Sequence, residues 1–68
     1  MNDAEKARDL RARARNLREQ GRKLKARAER MPQGAMREML SGQAAILCGS
    51  ADEIDARALA LAPPLGTA

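Results

Sequence analysis

Apolar residues recur along this chain with a period of seven. Leu10, Leu17, Leu24 and Met31 form one row; Ala7, Ala14, Gly21 and Ala28 form a second, each three residues ahead of a member of the first. Two interlocked rows held for about four heptads are the pattern of a helix packing along a coiled-coil seam, with the small set at position a and the large set at d. Small a residues let a neighbouring helix approach closely while the d side chains fill the flank. The second half of the chain repeats the scheme. Leu40, Leu47, Ile54 and Leu61 make its large row and Ala44, Ala51 and Ala58 its small one, with Arg37 where a fourth alanine would fall.

The ends of the elements are marked. Asn2 or Asp3 can cap the first helix, and Asn2 followed by Glu5 has the spacing of a capping box. Proline disfavours helical backbone at the residue before it, so Met31-Pro32-Gln33-Gly34 ends the run. Arg27 and Arg30 then sit at the negative end of the helix dipole, where cations are favoured. The reading is one domain over 1–68: helix about 3–30, turn 31–34, helix about 35–62, and a tail 63–68 that opens with Pro63-Pro64. Gly49-Ser50 followed by Asp52-Glu53 reads as a helix end and a fresh cap. Because the heptad rows run through this point in phase, one helix bent or weakened there is favoured, with two short helices as the alternative.

So short a turn makes the two helices antiparallel neighbours. Aligned small row on small row, Gly21 meets Ala44, Ala14 meets Ala51 and Ala7 meets Ala58; the large rows pair Leu24 with Leu40, Leu17 with Leu47 and Leu10 with Ile54. An axial offset of half a turn stays open. The alignment places Asp52, Glu53 and Asp55 near Arg8, Arg11 and Arg13, and Glu38 near Lys25 and Arg27.

Composition agrees with an all-α fold and adds a constraint. There is no Phe, Trp, Tyr or Val, and alanine supplies 15 of the 68 residues, which suits helix and starves a core of bulk. A chain this short is marginal alone and is usually helped by disulfides, metal or self-association. Cys48 is the only cysteine and there is no histidine, so neither an internal disulfide nor a metal site is expected. Self-association of the hairpin into a four-helix bundle is the remaining expectation. In architecture alone this layout resembles small RNA-binding hairpin dimers, with no motif matched residue by residue.

Charge changes the functional picture. Residues 1–30 hold 11 Lys and Arg against 5 Asp and Glu, whereas residues 31–68 hold 2 against 4. The stretch from Met39 to Ala51 carries no charge, so the middle of the first helix is left without acidic neighbours across the hairpin. Arg15, Arg18, Arg22, Lys23, Lys25 and Arg30 therefore form the candidate surface for a nucleic-acid backbone or an acidic protein, because the guanidinium fork suits phosphate. The competing reading is an arginine-rich solvated helix face. Without aromatic side chains, binding through duplex or backbone is expected rather than base stacking.

The second candidate surface is apolar. Met36, Met39 and Ile46 fall outside the intrachain seam on the heptad numbering and, with Leu47, form a candidate protein interface or dimer contact. Methionines at 31, 36 and 39 are otherwise read as gap-fillers of the core, and Cys48 as a buried free thiol. Asp52, Glu53 and Asp55 are explained by a helix start, so no enzyme activity, cofactor or small-molecule substrate is expected. The N-terminus lacks a basic segment followed by an apolar one, no stretch is long enough to cross a bilayer, and a lone cysteine suits a reducing cytoplasm.

Overall fold

The computed structural model describes residues 2–62, and it is two helices folded back on each other: α1 (Asp3–Glu29) and α2 (Ala35–Leu61). Among the described residues there is no strand. The start of α1 is held as the sequence implies. Asn2 is extended and its side-chain oxygen accepts the Glu5 N–H at 2.8 Å, satisfying a donor that the first turn leaves unpaired. At the other end the helix tightens: the N–H groups of Arg30 and Met31 donate to the carbonyls three residues back, Arg27 and Ala28. Such bonds end a helix, and Pro32 keeps Met31 from continuing it.

The second helix starts at Gly34, which has no side chain to cap it but whose carbonyl accepts the Glu38 N–H at 3.1 Å. From there α2 runs without interruption through Ser41-Gly42 and Gly49-Ser50. The in-phase heptad rows outweigh the local stop signal. The helix ends at Leu61, and the double proline expected to stop it lies outside the described residues, as does the rest of the tail.

The seam is built from the small row. Ala7, Ala14, Gly21 and Ala28 of α1 are all buried, as are Ala44, Ala51 and Ala58 of α2; among the described residues Leu40 is the only large side chain to join them. Of the remaining d residues, Leu10, Leu17, Leu24, Met31, Leu47 and Ile54 are half-buried and Leu61 is exposed. Arg37, which breaks the small row, is also half-buried beside the turn, where a long stem can lie on apolar surface while its head stays in water.

The rows interdigitate instead of meeting head-on. A methyl group placed on Gly21 would lie 3.3 Å from the Ala44 carbonyl oxygen, 3.7 Å from Leu47 Cβ and 3.1 Å from Cys48 Sγ. Gly21 thus faces the stretch from Ala44 to Cys48, some three residues beyond the head-on pairing, or about 5 Å along the axis. Each small residue then sits between two of the opposite row, which brings the backbones closer than small-on-small stacking would.

Candidate nucleic-acid interface

Helical geometry assigns a side of the hairpin to every residue. With ~100° per residue, a d position lies ~60° to one side of the small row, and the position four after a small residue lies ~40° to the other. In an antiparallel pair the same sides of both helices meet. One broad face therefore collects the large d rows: Leu24 and Leu47 line a shallow apolar groove there with Gln43 and Ile46. The opposite face collects the residues after the small rows: Lys25, Ser41 and Cys48 line a second groove together with Ala44 and Ala45.

That second face carries the positive charge. Arg8, Arg11, Arg15, Arg18, Arg22 and Lys25 follow one another at alternating steps of three and four, and so form a straight stripe along one side of α1. Two members are used by the hairpin itself. Arg11 donates to the Ala62 carbonyl oxygen at 2.7 Å, supplying a cationic cap to the end of α2, whose last turn has no basic residue of its own. Arg18 spans both Asp52, at 2.8 Å, and Asp55. These hydrogen bonds, first to Asp52 and then to Asp55, push the Arg18 pKa above its ordinary value.

The Arg18 geometry corrects the sequence reading. The head-on alignment left Arg18 without an acidic partner and gave Asp52 and Asp55 to Arg8, Arg11 and Arg13. The interdigitated register carries the acidic pair toward Arg18 instead, and Arg11 reaches past it to Ala62. The expected pairing of Glu38 with Lys25 and Arg27 does not form among the described residues either, since Arg18 makes the ion pairs found there.

The other candidate residues divide by side. Arg15, Arg22 and Lys25 are exposed on the stripe beside uncharged residues of α2. Lys23 is exposed on the outward edge of α1, one residue after Arg22 and so ~100° round the helix from it, and Arg30 is exposed at the cap of α1. The structure does not bring these two to the stripe. Arg8 was missed as a binding candidate because the charges were weighed against acidic partners; the alternation of threes and fours in the sequence identifies it directly.

On the leucine side, Met36, Met39 and Ile46 are 59%, 48% and 69% exposed, and Leu47 is half-buried. For Met36 and Met39 the gap-filling role is thereby overturned: they lie on the margin of α2, outside the seam, while Met31 alone is half-buried. Cys48 is likewise exposed, not buried, because it follows the small row by four residues and so lies at the edge of the stripe face. Among the described residues no His, Cys, Asp or Glu cluster could hold a metal ion, and no helix is long and apolar enough to cross a membrane. The chain matches no protein family model, and no similar curated protein or solved structure was found.

Proposed function

We propose that this chain is a non-enzymatic interaction protein that binds the backbone of duplex nucleic acid along the arginine side of α1, working in the cytoplasm as a regulator and as a homodimer. The observation that carries this reading is the stripe. After Arg11 and Arg18 are taken up by the hairpin, Arg8, Arg15, Arg22 and Lys25 remain exposed in line on one face. Successive arginines seven apart are about 10 Å from each other along the axis. Such a row meets a phosphate strand at several points; the side of α2 next to Lys25 is uncharged (Ser41, Ala44, Ala45 and Cys48), and Asp52 and Asp55 further along are held by Arg18. Lys23 and Arg30 add to the long-range attraction from the edge.

Binding of this kind releases counterions, with log K falling by roughly 0.9 per log unit of salt for each phosphate neutralised. Four contacts predict about a hundredfold loss of affinity between about 50 and about 200 mM salt. Replacing Arg15, Arg22 and Lys25 together by glutamine lowers that slope by roughly three while leaving helicity unchanged. Fluorescence anisotropy with a labelled duplex reads both. Absence of binding at about 50 mM salt, or binding indifferent to salt, rejects the reading.

A second reading has its own support in the exposure of Met36, Met39 and Ile46. It makes the chain an adaptor, inhibitor or assembly subunit whose α2 margin, with Leu47, docks on another protein. Under it, Ile46→Glu abolishes partner binding, whereas the glutamine changes only slow association.

A further inference from the structure

We propose that a second copy of this chain covers the leucine face, and that the resulting dimer carries its two arginine stripes on opposite outer surfaces, so that it bridges two nucleic-acid duplexes instead of gripping one. The bridging step rests on the phosphate-binding reading above; the choice of face does not.

The leucine face calls for cover. Among the described residues no large side chain is fully buried, and apart from Leu40 the d residues of both helices lie half-exposed or exposed side by side. The molecule measures 47 × 23 × 14 Å, and its radius of gyration is 15.2 Å against about 11 Å for a compact domain of this length. It is a slab one helix thick, with a broad face of the order of 1,000 Å², comparable to the roughly 800 Å² per partner of a standard stable interface.

The occupant follows from pattern and charge. The exposed d rows keep the seven-residue period along both helices, which is what an equally long two-helix slab can match layer by layer. The α1 border of this face is basic through Lys6, Arg13 and Arg27, whereas the α2 border sets Glu53 against Arg57 beside the uncharged Gln43 and Ser50 and so has no net charge. Rotating a second copy about an axis parallel to the helices sets each α1 border against the partner's α2 border and keeps the two basic borders apart. The opposite face is the poorer contact, because stacking it would bury the exposed Arg8, Arg15, Arg22 and Lys25 while Asp52 and Asp55 beside them are already held by Arg18. Stacking therefore occurs on one side only and stops at two.

The stripe is on the far side of each slab from the leucines, so in the stacked pair the stripes point away from each other. One duplex cannot reach both, and two duplexes can.

Cys48, the lone cysteine, reports on the arrangement without any substitution. It lies exposed at the edge of the stripe face, so nitroxide labels on the two copies stand about 20 Å or more apart across two helical layers. The test combines this distance with the mass of the free protein and of its complex with a short labelled duplex, by sedimentation. Expected are a dimer, well-separated labels, two duplexes per dimer, and retention of a free labelled duplex on beads carrying an unlabelled one. The Arg15→Gln, Arg22→Gln, Lys25→Gln variant should remain a dimer and lose that retention. A monomer at all concentrations, labels in near contact, or one duplex per dimer overturns the proposal. A dimer with separated labels that binds no duplex at low salt ends the bridging and the phosphate-binding reading together, while the leucine-face assignment stands.

Discussion

At the scale of single residues, the polar side chains that matter for the hairpin are those that satisfy helix ends or tie the helices across the seam. Asn2 closes the first turn of α1 with one hydrogen bond, so Asn2→Ala should cost about 1 kcal/mol of unfolding free energy, read from urea denaturation. Arg11 performs the corresponding task at the far end of α2 through the Ala62 carbonyl. Arg11→Met removes a charge-assisted hydrogen bond while keeping most of the stem; the expected loss is about 1 kcal/mol or somewhat more, with faster amide exchange confined to the last turn of α2. Arg18 lies in the open between Asp52 and Asp55, and its attraction is screened by salt. Arg18→Gln should therefore be destabilising at low salt and indistinguishable from the parent at high salt.

At the scale of the elements, the glycines separate helix propensity from packing. Gly42 and Gly49 stand on α2 with open space around them, whereas a methyl at Gly21 meets Cys48 Sγ and the Ala44 backbone. Glycine in a helix interior costs roughly 1 kcal/mol relative to alanine. Gly42→Ala and Gly49→Ala should each recover about that amount, seen as a higher thermal midpoint. Gly21→Ala should recover none of it, since the Ala44 carbonyl belongs to a helix and cannot step aside. A larger insult to the same seam, Ala51→Leu, forces the helices apart and should cost about 3 kcal/mol, with increased protease cleavage at the turn. The same competition explains α2 itself. Gly49-Ser50 carries a local stop signal, yet Ala44, Ala51 and Ala58 must stay in line to be buried, and only an unbroken helix keeps them so.

At the scale of the whole molecule, the decisive property is that burial is restricted to one thin seam. A core of alanines and one leucine removes little apolar area from water, while ordering some sixty residues carries a large entropy cost. The stability of this chain should consequently depend on its concentration, with a thermal midpoint that rises as the protein is concentrated. Leu17→Glu, on the leucine face, should abolish that dependence and lower the midpoint at every concentration; calorimetry across a hundredfold dilution series checks both. Charge acts at this scale as well. Six cations of α1 line one side of the slab, and the four of them that the hairpin does not take up, Arg8, Arg15, Arg22 and Lys25, concentrate there into a field that a scattered surface would lack.

Much of this is legible in the sequence. The period of seven determined two helices, their equal length and the small row that is buried; Pro32 determined where the chain reverses, and Asn2 where it begins. These are local or periodic properties, and a repeat written into the covalent chain is read as reliably as the chain itself. What only the tertiary structure decided is axial register. Sliding one helix by about a turn leaves every row in phase and the small row facing the seam, so periodicity is nearly blind to it. Yet that slide takes Arg18 out of the free basic surface and gives Asp52 and Asp55 to it, sends Arg11 to the end of α2, and sets Cys48 against Gly21. The sequence carries which side chains repeat; the depth to which alanines on two backbones can interlock sets which of them meet.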